Sequence, residues 1–196
     1  MPCYTGSAVI LAGGQGRRIG CDKKELVLAG EKIIDRLIRL LSAHFDEIIV
    51  STNTAFERTG IICVEDTLGA GPLAGIYSAL QCAASEYLYV TACDMPFISC
   101  AYIDQLAGCI ATRSYDVAAA RRPGGFIEPF NAFYRKTTLP LIREQLLRGE
   151  YKMGALLYKL EVCTLDLPNE REFFNINYQT DLSQAEELVH GHCNDN

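Results

Sequence analysis

No stretch of this 196-residue chain is apolar over the roughly 18 residues that a membrane-spanning helix requires. The opening "MPCYTGSAVILAGG" has no basic leader and only a short apolar run, so no secretory signal is expected. Positive charge is not in excess either. Against 24 Asp and Glu stand 18 Lys and Arg, giving a net charge of −6 and a pI near 5.1. A general nucleic-acid binder neutralises phosphate with a basic surface, so that class is excluded. The nine cysteines are odd in number, scattered and without a CxxC pair, which fits a reduced, cytoplasmic protein better than a disulfide framework. Cys63, Cys82 and Cys93 fall inside apolar runs, where a thiol is expected to act as a small hydrophobe. The "HGHC" at 190–193 sits in a polar tail and is assigned no role. Internal repeats, linkers and low-complexity segments are absent.

What is present is an ordinary globular composition, 49% hydrophobic and 21% charged, at a length suited to one domain over 1–196. Strand-like runs occupy 7–12, 47–52, 60–64, 87–93, 116–120, 131–134, 162–167 and 173–176. Helical periods lie between them, over 32–44, 71–85, 101–112, 136–148 and 180–190. "AVILA" and "YLYVTA" are almost continuously apolar, as in strands covered on both faces. Strands alternating with helices of this length predict an α/β fold with a mainly parallel central sheet. The turn signal "RRPGG" suggests that 121–135 leaves the parallel pattern as an antiparallel flap.

The basic residues that do occur are concentrated in "ILAGGQGRRIGCDKKEL", Ile10 to Leu26. This is neither of the two familiar phosphate loops. The P-loop pattern fails because Gly20 is followed by Cys21 and Asp22, and the GxGxxG pattern fails because Ile19 occupies its last position. The ingredients for holding a triphosphate are there nonetheless. Glycines at a strand's carboxyl end let backbone N–H groups surround phosphate oxygens, and Arg17, Arg18 and Lys23 add charge. Asp94 ends the buried run "YLYVTACD", where a carboxylate can hold Mg²⁺ against phosphate oxygens. Ser99 is the better cap for the helix that follows, which leaves Asp94 free. In "VEDTLGAGPLAGIYSAL", Gly71, Pro72 and Gly75 open a helix whose free donors suit a polyphosphate or a base edge. Gly75 also suits close helix–sheet packing.

"LAGGQGRRIGCDK" resembles the LAGGxxxRxGxxK signature of nucleotidyltransferases, and "GPLAGI", "CDMPF" and "FFNIN" in that order resemble the molybdenum cofactor guanylyltransferases over essentially the whole chain. The resemblance implies a three-layer α/β/α, Rossmann-like nucleotidyltransferase fold of the nucleotide-diphospho-sugar transferase type. It divides the chain into a nucleotide-binding half, about 1–100, and an acceptor-binding half, about 101–190. It places Leu11, Ala12, Gly13, Gly14, Arg17, Lys23, Asp66, Gly71 and Gly75 against GTP, and makes Lys23, Arg18 and Asp94 catalytic, Asp94 as the Mg²⁺ ligand. Ser51 stands where these enzymes often carry an asparagine, a part that Asn53 could take instead. Lys152, Asn175 and Asn177 match the acceptor side, which receives molybdopterin. Where the family continues NTPEDL, "YQTDL" lacks the proline and leaves the helix cap to Thr180. The implied reaction moves GMP from GTP to the terminal phosphate of molybdopterin and releases pyrophosphate, with Lys23 as the transition-state cation. The product would pass to molybdoenzyme apoproteins or their chaperones. Three alternatives remain open at this level: a CTP-dependent molybdopterin cytidylyltransferase, a sugar-phosphate nucleotidyltransferase, and a non-catalytic nucleotide-binding regulator or cofactor chaperone.

Overall fold

The protein is described from a computed structural model, over residues 6–13, 19–20, 22–68, 71–166 and 170–190. In chain order its elements are β1 (Ser7–Leu11), the short β2 (Val27–Leu28) and β3 (Glu31–Lys32), α1 (Ile33–Ser42), β4 (Glu47–Ser51), β5 (Ile61–Val64), α2 (Pro72–Cys82) and β6 (Tyr87–Ala92). Then follow α3 (Cys100–Thr112), β7 (Val117–Arg121), β8 (Ala132–Arg135), α4 (Leu139–Leu147), α5 (Met153–Leu157), β9 (Val162–Asp166) and α6 (Gln179–His190).

Seven strands form one sheet in the order β5-β4-β1-β6-β8-β7-β9. Every pairing is parallel except those of β8, which runs against both β6 and β7. The sequence pattern explains this arrangement. All residues of β1 and β6 are buried, so neither strand alternates apolar with polar, and helices must cover both faces. On α1, Ile33, Ile34, Leu37, Ile38 and Leu41 form the buried stripe that packs on β1 and β4. α2 lies over β1, β4, β5 and β6, while α3 lies over β7, β8 and β9. The mainly parallel sheet flanked by helices is therefore as the sequence predicts.

The chain leaves β1 toward β4 on one side and later returns to place β6 on the other. Their carboxyl ends thus flank a topological switch point, where an open α/β sheet leaves a crevice. Backbone bonds knit those ends together: Ala12 N–H donates to Ser51 O at 2.8 Å, and Cys93 N–H to Leu11 O at 3.0 Å.

Four expectations need correction. The 121–135 segment does turn back, with Arg122 N–H donating to Phe126 O at 2.8 Å and Gly124 and Gly125 at φ +89° and +87°. The antiparallel course is as expected, with an antiparallel bridge between Arg121 and Ile127, but it runs into the sheet and is not a flap beside it. β8 lies inside the sheet, held on β6 by Tyr89 and Phe133, whose rings meet edge-on at 5.2 Å. "FFNI" is not a strand: Glu170–Phe173 is a short 3₁₀ turn, after which Ile176 N–H donates to Asp94 O at 2.9 Å instead of to a sheet neighbour. Its phenylalanines serve as anchors, Phe173 edge-on to Tyr102 and Phe174 edge-on to Phe97. Thr180 does not cap α6. Asp181 reaches back and accepts from the N–H groups of Asn177 and Tyr178, each at 2.8 Å, because a carboxylate in the first turn reaches the orphan donors ahead of it. Finally, Cys63 and Cys82 are exposed, on the sheet's edge strand and at the end of α2, whereas Cys93 is buried as expected. Ser99 caps α3 as its position predicts, its Oγ accepting from Tyr102 N–H at 3.2 Å.

Candidate active site

The crevice at the switch point encloses about 550 Å³. Leu11 and Gly13 line it from the end of β1, Ala92 and Asp94 from the end of β6, and Ser51 and Asn53 from the end of β4. Asp66 enters after β5, Gly71, Pro72 and Gly75 from the start of α2, and Phe130, Asn175 and Asn177 from the far side. Lys23 completes the wall from a 3₁₀ turn, Lys23–Glu25, whose start is capped by the Asp22 carboxylate accepting from Lys24 N–H at 3.0 Å.

Two groups of opposite charge meet at the centre. The Lys23 ammonium donates to Asp94 Oδ2, and the aspartate is almost wholly buried. Asp94 Oδ1 is buried without a hydrogen-bond partner among the described residues, and so is the Asn175 carbonyl oxygen, Oδ1. An unsatisfied buried acceptor costs free energy until a donor or a cation reaches it. The bond from Ile176 N–H to the Asp94 carbonyl ties the segment bearing Asn175 and Asn177 to the end of β6, and Asp94, Asn175 and Asn177 all line the same crevice. Two hard oxygens with unfilled capacity fit Mg²⁺, which takes one or two protein ligands and completes its shell with substrate phosphates and water. Among the described residues no three His, Cys, Asp or Glu side chains converge on a metal, so an all-protein cage is not what the site offers.

On the other wall, Asp66 is held by three bonds. Its Oδ1 accepts from Ser51 Oγ and its Oδ2 from Asn53 Nδ2, both at 3.2 Å, while its own N–H donates to Asn53 Oδ1 at 2.8 Å. Burial pushes the Asp66 carboxyl above the ordinary carboxylate range, and the hydrogen bonds from Ser51 and Asn53 oppose that rise. Gly75 makes room for the cluster. A Cβ there would stand 2.6 Å from Ser51 Oγ, 3.0 Å from Leu11 Cδ2 and 3.3 Å from Asp66 Oδ1. Both readings of Gly75 therefore meet, since close packing is what admits the polar group. Gly71, with φ +84°, adopts a left-handed conformation as it starts α2.

Of the residues named from sequence, Leu11, Gly13, Lys23, Asp66, Gly71, Gly75, Asp94, Asn175 and Asn177 come together around one cavity. Ala12 is buried and supports the wall through Ser51 without lining it. Gly14, Arg17 and Arg18 lie outside the described residues. Lys152 is not brought into the cavity. It stands exposed ahead of α5, where its carbonyl accepts from Gln145 Nε2 at 3.0 Å. Phe130 and Ala92 were missed, and Asn53 proves better placed than Ser51 alone would suggest. Strand register brings Asn53 to Asp66: Ser51 on β4 faces Val64 on β5, so residues two further along each strand are neighbours, and nothing in the sequence alone gives that register.

Comparison with known proteins gives the same picture. The family model of the MobA-like NTP transferase domain matches residues 8–163. A molybdenum cofactor guanylyltransferase of Syntrophotalea carbinolica is 36% identical over 189 residues, covering 91% of this chain and 90% of that protein. A probable molybdenum cofactor guanylyltransferase of Peptoclostridium acidaminophilum is 34% identical, covering 94% and 90%. Among solved structures, molybdopterin-guanine dinucleotide biosynthesis protein A of Archaeoglobus fulgidus superposes with a TM-score of 0.82 at 26% identity, covering 94% of this chain and 99% of that one.

Proposed function

The chain belongs to the MobA-like NTP transferase family, and on that footing we propose that it transfers GMP from GTP to the terminal phosphate of molybdopterin. Pyrophosphate is released and the guanine dinucleotide form of the cofactor results. The observation that carries this reading is the Lys23–Asp94 pair, with the unpartnered buried Oδ1 atoms of Asp94 and Asn175, in a crevice large enough for a nucleotide.

An oxygen of the acceptor's phosphate, a dianion near neutral pH, attacks the α-phosphorus. The new bond forms there as the bond from the α-phosphorus to the pyrophosphate oxygen breaks. No protein nucleophile is needed, and catalysis rests on positioning and charge. Lys23 moves its N–H from Asp94 to a phosphate oxygen and offsets charge that builds in the transition state. Asp94, with Asn175, would hold Mg²⁺, which when bound supplies charge neutralisation to the triphosphate. The amides of Asn175 and Asn177 face the acceptor. Arg18 and Arg17, from the glycine loop, are assigned to the departing pyrophosphate by family resemblance. Lys152, outside the crevice, keeps a role only in drawing the acceptor's phosphate toward it.

Guanine fits the Asp66 wall better than cytosine does. Its Watson–Crick edge offers two donors side by side, N1–H and the 2-amino group, to a carboxylate already held in place by Ser51 and Asn53. Cytosine offers one donor, its 4-amino group, beside two acceptors, N3 and O2, which the carboxylate repels.

The test is pyrophosphate release by purified protein with Mg²⁺ and molybdopterin, comparing GTP with CTP. Release is expected with GTP, and Asp94→Asn and Lys23→Ala are each expected to lower kcat by about a hundredfold or more, as for loss of one preorganised electrostatic group. Release with CTP alone would move the protein to the cytidylyl reaction with the same mechanism. Nucleotide binding without release on any phosphate acceptor would make it a regulator.

A further inference from the structure

Lys24 is buried, with only 6% of its surface exposed, and the mechanism above makes no use of it. Lysine is almost never buried without partners that justify its desolvation. Here the partners are specific. The ammonium donates to Thr54 Oγ1 and to the Ala55 carbonyl at 3.2 Å, and stands 3.7 Å from Asp22 Oδ2. Successive side chains on a 3₁₀ turn point about 120° apart. Thus the same turn that aims Lys23 into the crevice sends Lys24 the other way, into the loop that follows β4.

That loop carries Asn53. On one side of it, Thr52 N–H is fixed to Val64 O at 2.9 Å, and on the other, Thr54 is fixed by Lys24 and by Thr52 Oγ1, which accepts from Thr54 N–H at 3.3 Å. Between these two anchors Asn53 makes its reciprocal pair with Asp66. From this geometry we propose that Lys24 is a positioning residue that couples the two walls of the nucleotide crevice. It holds the turn bearing Lys23, on the phosphate side, in fixed relation to the Asn53–Asp66 pair on the base side. The inference rests on the crevice being the nucleotide site, as proposed above. An apolar side chain of similar length would fill the same space but would leave Thr54 and Ala55 without the ammonium, and the loop would no longer be tied to the turn.

The experiment is calorimetric titration of the full-length protein with GTP and Mg²⁺, for wild type, Lys24→Met, Lys24→Arg, Asn53→Ala and the Lys24→Met/Asn53→Ala double variant. Lys24→Met is expected to weaken GTP about tenfold, the scale of a lost hydrogen bond to a charged group. Lys24→Arg, which keeps donors for both oxygens, is expected to recover most of that loss. Because both residues act through Asp66, the double variant should be hardly weaker than either single variant. A role in packing alone predicts the opposite ranking, with Met tolerated and Arg not, and that ranking overturns the proposal. So does independent action, in which the two losses multiply to about a hundredfold. Should Lys24→Met fail to fold, Thr54→Val removes one partner at constant volume and is expected to weaken GTP two- to threefold, by roughly half a kcal/mol, without adding to Asn53→Ala. Unchanged affinity there would refute the coupling. Wild type that binds GTP but releases no pyrophosphate refutes the transferase reading while the ranking still decides Lys24. Wild type that binds no nucleoside triphosphate overturns both.

Discussion

A missing methyl group at residue 75 sets the position of three side chains. Gly75→Ala would put a carbon 2.6 Å from Ser51 Oγ and 3.3 Å from Asp66 Oδ1, closer than the hydroxyl can tolerate without moving. In a helix, alanine is favoured over glycine by about 1 kcal/mol, so the helix itself gains while the crevice loses. The expected result is a protein with a melting temperature near that of wild type and a KM for GTP raised about tenfold, the scale of one displaced hydrogen-bonded contact. Asp66 carries a second opposition. Its carboxyl holds a proton more tightly in the folded protein than in the unfolded chain. A group with a raised folded pKa contributes stability below its unfolded pKa, and that contribution is lost as pH rises through the folded value. Relative to wild type, Asp66→Asn is therefore expected to raise the urea midpoint more at pH 7 than at pH 4, while narrowing the preference for GTP over CTP. In wild type, GTP affinity should fall on acidification at a pH above the ordinary carboxylate range, and this limb should vanish in Asp66→Asn. The residue types at both positions could be read from the chain; the contact between them could not. It depends on the register of β4 and β5, which places Asn53 opposite Asp66.

At the scale of elements, the 173–177 segment shows where periodicity misleads. "FFNI" has the composition of a strand, yet its backbone bonds go to Asp94 and its rings to Tyr102 and Phe97. What holds it is a buried asparagine. Asn131 accepts from Thr91 Oγ1 at 2.7 Å and donates to Glu172 O at 2.8 Å, from a backbone at φ +50° that asparagine tolerates better than most residues. Asn131→Ala strands both partners and keeps the strained φ, so a loss of about 2–3 kcal/mol is expected, read from the urea midpoint. Asn131→Gly relieves the φ and should lose less. Removing the cap of α3 with Ser99→Ala is expected to cost about 1 kcal/mol and to leave the KM for GTP unchanged, since Ser99 stands outside the crevice lining. The helices and most strands could be recognised from their own residues because each carries its period locally. β2 and β3, two residues each, and the five-residue α5 are too short to show one.

Across the whole molecule, the alternation of strands with helices gave the parallel sheet, and the glycine loop and Asp94 marked which end of it to examine. Strand order is a different kind of information. Nothing in "NAFYRK" states that β8 enters between β6 and β7, because its place beside β6 depends on pairings more than 40 residues apart along the chain (Val90 with Ala132, Tyr87 with Arg135). The position of β8 has a consequence for how the protein is made. During synthesis the first half can assemble β5, β4, β1 and β6 as it emerges, but the outer edge of β6, with Leu88, Tyr89 and Val90, stays unpaired until Arg135 follows Ala92 out of the ribosome. That is 43 residues, or roughly 2 to 9 seconds of translation. Nascent chains halted at Arg121 are expected to be captured by chaperones or to aggregate, and chains extended past β8 to be protected from protease. The edge of β6 that β8 later covers is thus left open through the interval of greatest risk in the life of the chain.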